Sequence, residues 1–153
     1  MKTRVLLYIL IILLGLLSIG ALFGGGALII SPSGELLNMP SSNLGSSPFK
    51  NFFVPGLILF SILGIIPGIL MYALIKKPKC KFCDSLNLFN DMHWAWSFCI
   101  FVSFALNIWI QIEVYYLQEV IWVHIFYMMY ALILILILLL PQIRNVFKKA
   151  NIS

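Results

Sequence analysis

Charge is what this sequence has least of. Its 153 residues include five acidic and ten basic side chains, 10% charged in all, against 62% hydrophobic. Soluble domains carry about 25% charged residues, and a chain of this size cannot bury so much apolar surface on its own. Water is therefore excluded as the solvent for much of the surface, and lipid takes its place. Also missing are the ~10-residue alternating segments that a membrane β-barrel requires, since runs such as LLYILIILLGLL and ALILILILLL do not alternate. No Gly-rich phosphate loop follows a strand, no HExxH occurs, and no Ser/His/Asp arrangement is compelling. An enzyme activity thus has no positive support, and no cofactor is indicated.

Four long apolar runs are present, covering about residues 5–26, 52–75, 94–117 and 120–140. Each approaches or exceeds the roughly 20 residues a helix needs to cross a ~30 Å hydrocarbon core. Lys2 and Arg4 before the first run imitate a secretory signal, but a signal's apolar region is about 7 to 15 residues. Here the run continues from Val5 to Leu22 and beyond, so we read it as a retained span. The expected fold is an all-α membrane protein, one domain over residues 1–153, in an up-down-up-down four-helix bundle.

Of the ten Lys and Arg residues, nine fall on one side of such a chain: Lys2, Arg4, Lys76, Lys77, Lys79, Lys81, Arg144, Lys148 and Lys149. Only Lys50 falls on the other. The positive-inside rule then places both termini and the basic loop, residues 76–92, in the cytoplasm. The +5 net charge is topological and favours anionic headgroups, with no indication of nucleic acid. The outer loop, residues 31–50, is rich in Pro, Gly, Ser and Asn but carries Leu36, Leu37, Met39, Leu44 and Phe49. It is expected to lie on the bundle end with a short helix. The terminal NIS, a glycosylation-like triplet, falls on the inner side and is discarded.

Small residues four apart mark close helix contacts in membranes. Gly20 and Gly24, with Ala21 and Gly25 beside them, form one such set, and Gly64 and Gly68 another. Pro67 is expected to bend or loosen the second span. Trp94, Trp96, Trp122, Tyr72 and Tyr115 fit aromatic belts at the span ends.

Candidate site residues cluster in the second half. Cys99, Ser103, Asn107 and Gln111 recur every fourth residue as a polar stripe, read first as interhelical packing and second as the lining of an ion or substrate path. Glu113 lies within the third span, where a carboxylate at mid-membrane depth is expensive by about 2.5 to 3.5 kcal/mol. At about 100° per residue it stands roughly 200° from Gln111 and shares a face with Leu106, Trp109 and Tyr116. His124, one turn into the fourth span, lies at matching depth across a tight hairpin. A Glu113–His124 pair, with Tyr116 and Tyr127 as supporting hydroxyls, is expected either to lock the hairpin or to sense protons or cations. In CKFC, Cys80 and Cys83 are read as incidental, reduced thiols. A weak metal site joined by Asp84 or His93, or a redox pair, are the alternatives. Asp91 and His93 flank the start of the third span, where a carboxylate caps favourably.

The segments SPSGELLNMP, SPFKNFFVPGLILFSILGIIPG, WAWSF, WIQIEV and WVHIFYMMYALILILILLLP resemble a group of small bacterial four-span membrane proteins. The likeness covers most of the chain and implies fold and placement in the inner membrane, but no activity. Span count and CxxC also resemble the disulfide-forming and vitamin K epoxide reductase type of four-helix oxidoreductase. That match fails for want of a second cysteine pair or quinone-site pattern. The leading functional expectation is a structural or accessory bundle that packs with itself or with a membrane-protein partner. The alternatives are a small-molecule or ion-binding transport component, and a CxxC metal or thiol-redox protein.

Overall fold

A computed structural model describes residues 2–39, 44–45 and 47–149. Parts of the outer loop (40–43 and 46) and the terminal triplet therefore lie outside the described residues. Four helices are long and apolar enough to cross a membrane: α1 (Lys2–Ile30), α2 (Phe53–Lys76), α4 (Trp94–Leu117) and α5 (Trp122–Leu139). Two short helices join them, α3 (Lys81–Ser85) in the basic loop and α6 (Pro141–Phe147) directly after α5. Among its described residues the outer loop contributes a 3₁₀ turn, Glu35–Leu37. Gly34 enters it at φ 82°, with the Met39 carbonyl and Phe52 ring packed where a Cβ would stand, so only glycine fits.

The helix ends have local causes. Lys77 and Gln118 adopt left-handed backbone and return their N–H groups to the Ala73 and Val114 carbonyls, closing α2 and α4. Between α5 and α6, Leu140 takes the extended conformation (φ −57°, ψ 133°) that the following Pro141 imposes. Pro67 loosens α2 as expected. The preceding residues Leu59–Ile65 are π-helical, and the Ile66 N–H reaches back five residues to the Ser61 carbonyl.

α1 and α2 pack with backbones in contact. A Cβ on Gly25 would stand 2.6 Å from the Phe60 nitrogen and 2.8 Å from the Gly56 oxygen. One on Gly64 would meet Leu22, and the Ser18 hydroxyl donates to the Gly64 carbonyl at 2.7 Å. Ascending positions on α1 meet descending ones on α2, so the pair is antiparallel. The contact set differs from the sequence reading by one residue. Gly25 is the tightly packed position and is buried, whereas a Cβ on Gly20 or Gly24 would meet only the Tyr127 hydroxyl or a Leu59 methyl at ordinary contact distance.

At the lysine-rich end the structure closes on itself. Ile143 and Phe147 of α6 are buried, and the His93 N–H donates to the Phe147 carbonyl at 2.7 Å. The Lys149 N–H donates to the Asp91 carbonyl, Lys77 Nζ to the Val146 carbonyl, and Lys149 pairs with Asp84 at 2.9 Å. Trp94 and Trp96 are not belt residues, as the sequence led us to expect. They are 5% and 1% exposed, with indole N–H groups donating to the Pro78 and Leu138 carbonyls. Trp122, Tyr72 and Tyr115 are exposed.

Gly25→Ala should lower stability by about 1 to 3 kcal/mol, because rigid backbone on α2 must move to admit the methyl. Gly24→Ala, whose Cβ would find only the Leu59 side chain at 3.7 Å, should be near neutral. Equilibrium unfolding of both variants in detergent checks the contrast.

Candidate functional site

At the end of the bundle where α4 turns into α5, the four long helices enclose a cleft of about 340 Å³. Its walls are apolar: Leu17 of α1, Leu59 and Leu63 of α2, Leu106 and Ile110 of α4. Gly20 and Gly24 leave the space open on the α1 side, so two glycines expected as a packing pair instead define the void. Into this apolar chamber project Glu113, Glu119, His124 and Tyr127.

Each polar group is held by its element. Glu113 lies one turn before the α4 terminus, and the Trp109 indole one turn earlier is its polar neighbour. His124 belongs to the first turn of α5 and is 4% exposed. Its Nδ1 accepts the Ile121 N–H at 3.3 Å, capping the helix and orienting the ring. Among the described residues its Nε2 has no hydrogen-bond partner. The Tyr127 hydroxyl reaches toward Gly20, 3.5 Å from where a Cβ would stand, and also lacks a partner.

The expected residues divide into two groups. Glu113, His124 and Tyr127 share the cleft, although no hydrogen bond or ion pair joins Glu113 to His124, whose Nδ1 is taken by the Ile121 backbone. Tyr116 lies on the other side of Trp109 and Glu113, in a smaller pocket beneath Phe49 and Phe52 of the outer loop. Asn107 and Gln111 do not line the cleft. Asn107 donates to the Ser103 carbonyl and Ser103 to the Cys99 carbonyl, both within α4, and the exposed Gln111 contacts the Met128 sulfur of α5. The wall contributed by α1 and α2 was not legible as a site, since glycines and leucines carry no chemical signal.

Cys80 and Cys83 are joined as a disulfide, where the sequence led us to expect free thiols. Cys80 is the N-cap of α3 and Cys83 lies within its first turn, which sets their Cα atoms 5.2 Å apart, inside the ordinary disulfide range. Among the described residues no three His, Cys, Asp or Glu side chains gather as a metal site. His93 serves instead as a helix cap. Its Nδ1, and not the Asp91 carboxylate, accepts the Ala95 N–H at 3.2 Å at the start of α4.

Burial pushes the His93 imidazole below its usual pKa, against the opposing pull of the Pro78 carbonyl and Asp84. The folded chain therefore takes up this proton at lower pH than the unfolded chain does. The stabilisation is complete above the ordinary imidazole range near ~6.5 and is lost as pH falls through the folded value. The unfolding midpoint should decline on acidification from about pH 8 to about pH 5. His93→Asn, which keeps a capping acceptor without a titrating ring, should flatten that part of the profile.

No family model matches this chain, and no curated protein or solved structure is significantly similar to it. The reading of the site therefore rests on its own residues.

Proposed function

We propose that this chain is a small-molecule-binding protein of the bacterial inner membrane, resembling other small four-span proteins there. In this reading it crosses the bilayer up-down-up-down with both termini in the cytoplasm. Its cleft takes an apolar molecule bearing one cationic or hydrogen-bond-donating head. The observation that carries the reading is the convergence of Glu113 and His124, from the two arms of the α4–α5 hairpin, on one apolar cavity without pairing to each other. A carboxyl group presented to a low-dielectric chamber is costly unless a ligand satisfies it. The apolar walls supply affinity and the Glu113 carboxyl, an acceptor, orients the head, the usual division of labour in ligand sites.

The accessory-bundle reading draws on a different observation. The polar stripe of α4 is satisfied by its own backbone, as in a purely structural helix. Against association with a second protein stands the use of Ala21, Gly25 and Gly64 inside the chain itself, which leaves those small-residue faces occupied.

Binding separates the two. Thermal unfolding of the purified protein in neutral detergent should show stabilisation by 3-phenylpropylamine and 3-phenylpropanol but not by 3-phenylpropanoate. A charged hydrogen bond contributes about 1.5 to 3 kcal/mol, so Glu113→Gln should weaken amine binding roughly ten- to a hundredfold. Gly20→Leu should fill the cleft and abolish binding, and Asn107→Ala should change nothing. Equal response to all three head groups, or an unaltered Glu113→Gln protein, would sink the binding reading and leave the accessory one.

The orientation rests on the nine cations of one face. The Cys80–Cys83 disulfide points the other way, since a reducing compartment opposes it. We weight the charges more heavily, because a CxxC turn brings its sulfurs together wherever it folds. An amine-reactive reagent that cannot cross membranes should label Lys76, Lys77, Lys79 and Lys81 in inverted vesicles and spare them in intact cells. The reverse pattern would invert the topology.

A further inference from the structure

At the lysine-rich end, far along the bundle from the hairpin cleft, a second cleft of about 230 Å³ lies between Asp91 and Met92, the end of α5 at Leu139, and one face of α6. Pro141, Arg144 and Asn145 provide that face, at the i, i+3 and i+4 positions that a single helix side presents, and Lys148, in extended backbone just after the helix, completes the lining. The opposite side of α6 is fixed by the buried Ile143 and Phe147, so the cationic side cannot turn inward. Arg144 is further positioned by its guanidinium over the Trp96 ring, 5.8 Å from the centroid.

Among the described residues these cations have no anionic partner. The ion pair found among the described residues joins Lys149 to Asp84, and Lys77 donates to a backbone carbonyl. Neither Arg144 nor Lys148 makes an ion pair or side-chain hydrogen bond among the described residues, although Asp91 borders the same cleft. Two cations against one carboxylate leave the cleft net positive. Its mouth is apolar on one side. Leu139 continues upward through Leu136 and Leu132, an exposed stripe on α5 at helical spacing. A ligand seated here meets a cationic, amide-bearing pocket at one end and a lipid-facing hydrocarbon track at the other.

We propose that this cleft binds the phosphate head of an anionic glycerophospholipid, gripped by Arg144 and Lys148 with Asn145 alongside, while its acyl chains lie along Leu139, Leu136 and Leu132. Arginine's planar fork matches phosphate oxygens in pairs, and lysine adds a point charge. A basic pocket beside membrane helices is the arrangement that singles out one such lipid from the bulk leaflet. The inference depends on the chain being embedded in a bilayer and is independent of what the hairpin cleft binds.

Native mass spectrometry of the full chain in neutral detergent, titrated with phosphatidylglycerol and with phosphatidylcholine of the same acyl chains, tests it. The wild type should retain phosphatidylglycerol preferentially. The double variant Arg144→Gln/Lys148→Gln should lose the preference by roughly 10- to 30-fold. Lys148→Gln alone disturbs no internal contact and should lose part of it, which keeps the test open should removal of Arg144 from Trp96 unfold the protein. Asp91→Asn removes the opposing charge and should tighten binding, a gain that structural damage cannot imitate. Lys2→Gln/Arg4→Gln, which alters cations outside the cleft, should leave the preference unchanged. Equal retention of both lipids, equal loss on changing Lys2 and Arg4, no gain with Asp91→Asn, or full displacement by millimolar inorganic phosphate would each overturn the assignment. The last outcome would make it a site for free phosphate.

Discussion

A backbone in hydrocarbon has no water to turn to, and in this chain that constraint governs everything above the level of sequence. Each unsatisfied peptide group costs several kcal/mol there, so the crossing segments must be helical. Once they are, the ordinary drive to bring apolar faces together has vanished, because lipid tails are as apolar as leucine. What remains is close van der Waals contact and the few polar bonds that reach between helices. The Gly25–Gly56–Phe60 approach and the Ser18–Gly64 hydrogen bond supply both for α1 and α2.

That tight pairing also creates the cleft. With Ser18, Leu22 and Gly25 set against α2, Gly20 and Gly24 border the cleft and contribute no side chain to it. Across from them, α2 is in its π-helical stretch and presents Leu59 and Leu63. A widened helix turn next to two glycines leaves volume that the large side chains of α4 and α5 do not fill. Glu113 and His124 border this volume.

Periodicity made much of this readable in advance. The third span was legible end to end, because the apolar run and the Trp94 and Leu117 boundaries coincide with its caps. The separation of Glu113 from the Asn107–Gln111 stripe followed from helix angles alone. Less could be read where a residue's partner lies far away in sequence. The burial of Trp94 and Trp96 depends on carbonyls at Pro78 and Leu138, and nothing local distinguishes a core tryptophan from a belt one. α6 lies beyond the fourth span as read from the sequence, although Pro141 followed by Ile143, Val146 and Phe147 carries a start signal and an apolar stripe. The sequence reading gave His124 to Glu113 and did not foresee that its Nδ1 caps the backbone donor at Ile121, a claim that any helix N-terminus makes on a nearby acceptor.

The two ends of the bundle differ in how firmly they are tied. At the lysine-rich end, backbone and indole hydrogen bonds link α2, α4, α5 and α6 together through Pro78, Leu138, Asp91, Val146 and Phe147. Each of these joins residues distant in sequence, so the end cannot open without breaking several at once. At the hairpin end the bond reaching between α4 and α5 is the weak Gln111 contact to a methionine sulfur, and the His124 cap is local to its own helix. Opening free energies follow such differences in bonding and burial. The cleft therefore sits where the helices can part by small shifts, while the cationic cleft of α6 sits where they cannot. Entry of an apolar molecule requires the first property, and a fixed grip on a headgroup requires the second.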